Sequence, residues 1–82
     1  MELREEIVQK IIERGSVIFK KEPSEINTDT NFIIDLKAKS GQMVYIISAL
    51  ETEYDVEINF AEVKKKKTIG ELADYVVQLC IG

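Results

Sequence analysis

Met43, Ile46, Ile47, Leu50 and Tyr54 stand three or four residues from one another along the run, the period of an α-helix that buries one side. A half-buried strand needs strict alternation, and this run has none. The stripe predicts a helix over about residues 41 to 54, and a helix this short is marginal alone in water. It therefore needs other helices to cover its apolar side. Leu3, Ile7, Val8, Ile11 and Ile12 supply one partner stripe, backed by Glu2, Arg4, Glu5, Gln9, Lys10, Glu13 and Arg14. They predict a helix from residue 2 to about 14, with Glu2, Glu5 and Glu6 near the positive end of its dipole and Arg14 near the negative end. Gly15-Ser16 weakens it, whereas Val17, Ile18 and Phe19 can carry it one turn further, so the pattern leaves that boundary open. Ile69, Leu72, Ala73, Val76, Leu79 and Cys80 form the last stripe. Thr68 and Glu71 fit a capping box at its start.

The connections are less regular. From Lys20 to Lys39, Pro23, Asn27, Asp29 and Asn31 discourage continuous helix, with room for one short turn at Pro23–Ile26. So long a loop is uncommon in a compact domain and is often functional. Its apolar anchors are expected among Ile26, Phe32, Ile33 or Ile34, and Leu36. Residues 55 to 67 form a second connector with one short helix near Phe60 to Lys64, and Val56, Ile58, Phe60 and Val63 supply its contacts. Ile7, Ile11, Ile47, Leu50, Tyr54, Ile58, Ile69, Leu72 and Val76 are expected to meet in one core. The result is an all-α chain of three main helices and one short helix, forming one small domain. At this size only roughly 60% of the unfolded surface is buried, so the stability margin is thin.

The chemistry is limited by what the chain lacks. Histidine is absent, and the four glycines are scattered rather than gathered in a phosphate loop. A single cysteine, Cys80, allows neither an internal disulfide nor a zinc cluster, and it reads as a packed, inert thiol. No metal site and no catalytic residues are expected, which argues against a self-contained enzyme. A net charge of −4 argues against nucleic acid as the main partner. No apolar run approaches the ~20 residues of a membrane span, and no secretory leader pattern opens the chain, so the cytoplasm is the expected compartment. Two charge clusters stay ambiguous. Glu51, Glu53 and Asp55 are either a solvated acidic surface or a docking surface for a basic partner. Lys64 to Lys67 are either a solvated loop or an anion-binding patch.

Ser40 stands just outside the central stripe, at the helix entrance. On position alone it reads as a helix N-cap, a role serine favours. Its surroundings point elsewhere. Phe32-Ile33-Ile34-Asp35-Leu36-Lys37-Ala38-Lys39-Ser40 is followed by Ala49-Leu50-Glu51-Thr52-Glu53-Tyr54-Asp55-Val56-Glu57-Ile58, then by Thr68-Ile69 and Asp74-Tyr75-Val76. In this order and at these distances the segments resemble the acyl carrier protein family over nearly the whole chain.

The resemblance implies a four-helix carrier bundle spanning residues 1–82, with 4'-phosphopantetheine esterified to Ser40. The thiol of that arm would carry acyl groups for fatty-acid, polyketide or other specialised acyl synthesis. A phosphopantetheinyl transferase and acyl-transferring or synthase enzymes would be its partners, and the protein would be a monomer. A phosphodiester at a helix N-terminus gains from free N–H groups and the dipole, and Lys37 and Lys39 add attraction. The chain also departs from the family. It reads Lys39-Ser40-Gly41 where Asp-Ser-Leu is usual, Lys37 where glycine is usual, and Gln42 and Tyr45 at positions that are commonly acidic. Lys37, Lys39, Gly41, Gln42 and Tyr45 are therefore the candidate flanking contacts for partners or phosphate. By analogy with the family, Met43, Ile47, Val63 and Ile69 bound the entrance for an acyl chain, where Tyr45 or Phe60 would crowd it. The departures motivate an alternative, an unmodified carrier-like protein-interaction or regulatory module.

Overall fold

The computed structural model describes residues 2–82. Four α-helices follow one another: α1 Leu3–Phe19, α2 Ser40–Tyr54, α3 Phe60–Val63 and α4 Ile69–Ile81, with a single 3-10 turn at Pro23–Glu25. The first helix packs against both α2 and α4. All three long stripes meet: Ile7, Ile11, Ile46, Leu50, Ile69, Leu72 and Val76 are fully buried in one cluster. Ile47 and Ile58 are buried with them, while Tyr54 and Cys80 are only partly buried and pack against the cluster's edge. Tyr54 keeps its polar end usable: its hydroxyl donates to Glu6 Oε2 at 2.8 Å, tying α2 to α1. Partial burial, then this carboxylate contact, raise the Tyr54 pKa above its ordinary value. At the same end of α1, Arg4 Nε donates to Asp74 Oδ1 of α4 at 2.6 Å.

Helix α1 runs through Gly15-Ser16 and stops only at Lys20, whose left-handed backbone (φ 56°) turns the chain. Glycine inside a helix costs about 1 kcal/mol. Here Gly15 is buried, and Ile18 and Phe19 beyond it pack on the core.

The long first loop is pinned by Ile26 and Phe32, both buried, with Leu36 half-buried. Ile33 and Ile34 are not anchors. They are 66% and 74% exposed, because the Asn31 side chain fixes a tight turn by accepting both of their N–H groups at 2.8 Å. The loop also serves α4. Thr30 and Thr28 carbonyls accept the N–H groups of Ile69 and Gly70 at 3.1 and 2.9 Å, satisfying donors that a helix start leaves free. Gly70 makes this approach possible, since a Cβ there would lie 3.1 Å from the Thr28 oxygen.

The start of α4 is capped as expected in one half. Thr68 Oγ1 accepts from Glu71 N–H at 3.2 Å, but Glu71 returns its bond to Lys67 N–H at 2.9 Å rather than to Thr68. Asn59 caps α3, accepting from Ala61 and Glu62 N–H groups.

Candidate functional site

The loop, α2 and α3 converge on Ser40. Phe32 is drawn into the core, and its carbonyl accepts from Ala38 N–H at 2.8 Å, which folds the intervening turn back on itself. The chain then enters α2 in extended backbone at Lys39 (φ −104°, ψ 161°). Lys39, not Ser40, occupies the N-cap, and Ser40 is the first helical residue. The serine is therefore not spent as a cap, and it is exposed.

No side chain caps the helix, as lysine offers no acceptor. Among the described residues, the N–H groups of Ser40, Gly41 and Gln42 have no hydrogen-bond partner. Gln42 instead folds back, its Oε1 accepting from Lys39 N–H at 2.8 Å. This candidate contact residue is half-buried and occupied in holding the helix start.

Below Ser40 opens a mostly apolar cleft of about 170 Å³. Ala38, Met43, Phe60 and Val63 line it together with Phe32 and Ile33, and Lys39, Lys64 and Lys66 supply its charged edge. An enclosed apolar cavity of about 150 Å³ holds a molecule the size of benzene. Of the expected acyl-pocket residues, Met43 and Val63 are on the cleft wall. Ile47 and Ile69 are buried and do not reach it. Phe60 lines the cleft, where a ring is expected to crowd a chain. Tyr45 does not, because it lies in a separate groove with Arg14, Ser48 and Glu53. Lys37 is exposed in left-handed backbone (φ 52°) just before the site, and Gly41 is exposed beside the serine with open space where a side chain would project.

The acidic end of α2 has partly structural duties: Glu51 Oε2 accepts Ile58 N–H at 2.8 Å, and Glu53 lies 3.9 Å from Lys10. Lys64 and Lys66 were legible only as members of a lysine run. Their place beside Ser40 depends on how α3 packs, a non-local fact.

The site is thus an exposed hydroxyl at an uncapped helix mouth, over a mostly apolar cleft on a small helical bundle. Comparison with known proteins gives the family. Residues 6–76 match the family model described as phosphopantetheine attachment site. The acyl carrier proteins of Rickettsia canadensis and Rickettsia rickettsii are each 38% identical over 76 residues, spanning 93% of this chain and 88% of theirs. That of Rickettsia typhi is 37% identical over the same spans. The chain belongs to the acyl carrier protein family, whose members are carriers and not enzymes. The prosthetic group that goes with this family is 4'-phosphopantetheine, and an exposed serine among three free N–H donors suits its phosphate.

Proposed function

We propose that Ser40 is the attachment point and that the protein carries acyl intermediates for fatty-acid, polyketide or other specialised acyl synthesis. The observation that supports this reading is the position of Ser40. It is an exposed first-turn residue, free of capping duty, at the mouth of an apolar cleft. When bound, the arm supplies a terminal thiol that holds acyl groups as thioesters.

The chain's own residues do the rest. In loading, the Ser40 oxygen would bond to the pantetheine-bearing phosphorus of coenzyme A as the P–O bond to adenosine 3',5'-bisphosphate breaks, the hydroxyl proton passing to a base. That base would belong to a phosphopantetheinyl transferase, since none stands beside Ser40 in the cleft lining. The free N–H groups of Ser40, Gly41 and Gln42 and the α2 dipole then favour the negative phosphodiester. Met43, Val63 and Phe60 offer a dry wall to a short acyl chain, with Ile47 and Ile69 behind it to be reached only if the helices part. This reading places a monomeric carrier in the cytoplasm with its transferase and acyl-transferring enzymes. No described helix is long and apolar enough to cross a membrane.

The test is intact-mass spectrometry before and after incubation with coenzyme A and a broad-specificity transferase. A gain of one phosphopantetheine, absent in Ser40→Ala, is the expected result. A gain that persists in Ser40→Ala would move the attachment elsewhere. No gain would favour the unmodified interaction module, for which Ser40→Ala leaves partner binding intact.

A further inference from the structure

The mouth of the cleft is basic in a chain that is acidic overall. The formal charge is −4, yet the charged side chains around the cleft are Lys39, Lys64 and Lys66. None of the three is in an ion pair among the described residues. Lys64 and Lys66 instead place their ammonium groups 5.6 and 5.5 Å from the ring centroids of Phe60 and Tyr75.

Four carboxylates on the neighbouring elements are engaged within the fold. Glu62 pairs with Lys65 at 3.4 Å, Glu71 accepts Lys67 N–H, Asp74 binds Arg4, and Asp35 accepts Asn31 N–H at 2.8 Å. Apolar surface lies among the free cations. Ile33 on the cleft wall and Ile34 beside it are exposed, as is Val44, one turn along α2 from Ser40. An apolar centre with a charged rim is the anatomy of one half of a protein interface, and its complement carries the opposite charge.

An enzyme acting on Ser40 meets the cleft that these lysines also line, and charges are felt over about 8 Å at physiological ionic strength. Resting on the assignment of Ser40 as the attachment point, we infer that the enzymes serving this carrier dock at the Ser40 end through an apolar face rimmed with carboxylates. Lys39, Lys64 and Lys66 draw that face in. A basic-faced enzyme is repelled.

The experiment measures loading rates with coenzyme A for two carriers and two transferases. The carriers are the native chain and K39E/K64E/K66E. The enzymes are a transferase chosen for a basic docking face and the same enzyme with those basic residues changed to glutamate. Steering by such fields changes association rates by about 10- to 1,000-fold. The native chain should be loaded at least about 10-fold faster by the glutamate-faced enzyme, and the reversed carrier at least about 10-fold faster by the basic-faced one. Both preferences should shrink as salt rises. The four rates form a cycle, so a general loss of activity in the altered enzyme cancels.

The neutral variant K39Q/K64Q/K66Q should fall between the other two carriers, and circular dichroism checks that all three are folded. Equal preference in both carriers, or a native chain that favours the basic-faced enzyme more than the reversed carrier does, overturns the inference while the mass gain upholds Ser40. No mass gain in any pairing overturns the attachment reading itself.

Discussion

Lys37 and Gly41, on either side of Ser40, each sit in a backbone setting that suits the other kind of residue. Lys37 has φ 52°, in the left-handed region where a side chain costs about 1–2 kcal/mol. Glycine escapes that strain but is freer in the unfolded chain, which returns roughly 0.5–1 kcal/mol. Lys37→Gly is therefore expected to stabilise the fold by up to about 1 kcal/mol, seen as a raised urea midpoint. A lowered midpoint would mean that the lysine side chain contributes more than its backbone costs. Gly41 is the reverse case. It lies inside the first turn of α2 with an ordinary φ, and a Cβ there meets nothing within 4 Å. Gly41→Ala should gain about 0.5–1 kcal/mol from helix propensity alone. The same denaturation series measures it, and a loss would show that the first turn needs glycine's freedom.

The start of α2 has no side-chain cap. Its N-cap is Lys39, which cannot accept a hydrogen bond. Lys39→Asp supplies a cap and a favourable charge at the dipole's positive end, for an expected gain of about 1 kcal/mol in thermal or urea unfolding. That gain should persist at high salt if it comes from the cap and fade if it comes from charge alone. The link between α2 and α1 has a pH signature. Because burial and Glu6 raise the folded pKa of Tyr54, its contribution is complete below the unfolded value of about 10 and is lost as pH rises through the folded value. The stability difference between the native chain and Tyr54→Phe should thus be flat from neutral pH to about 10 and shrink above it. A flat difference beyond that range would show that the hydroxyl is not held as the structure places it.

These elements also show what periodicity conveys. The buried stripes were readable residue by residue, since burial follows helical spacing. The end of α1 was not, because a glycine's propensity cost is outweighed by packing of Ile18 and Phe19 further on. Ile33 and Ile34 looked like anchors, but hydrophobicity alone carries no sign of the Asn31 turn that points them outward. Ser40 was legible as an exceptional position, yet its exact register was off by one, since the cap is set by backbone angles that lysine adopts as readily as serine. Gly70's contact with Thr28 and the seating of Lys64 and Lys66 beside Ser40 are tertiary facts without a local signal.

With a single apolar cluster shared by α1, α2 and α4, no helix has a core of its own. Loss of any contact in that cluster is therefore felt by the whole chain. Leu72 is fully buried in the cluster, and a buried Leu→Ala change costs about 2–5 kcal/mol. Total stability of a domain is about 5–15 kcal/mol, with the smallest domains toward the low end. Leu72→Ala should accordingly leave a marginal protein with a strongly lowered urea midpoint. Its unfolding should remain one transition, with helical circular dichroism and tyrosine fluorescence changing together. Ile34→Ala, on the exposed turn, should shift the midpoint by less than about 0.5 kcal/mol. If Leu72→Ala instead separated the two probes, one part of the bundle would be holding together without α4, and the carrier would consist of two stability units rather than one. That outcome would matter for its function. A bundle that opens locally can admit an acyl chain toward Ile47 and Ile69 without unfolding, whereas an all-or-none bundle confines a short chain to the cleft bounded by Met43, Val63 and Phe60.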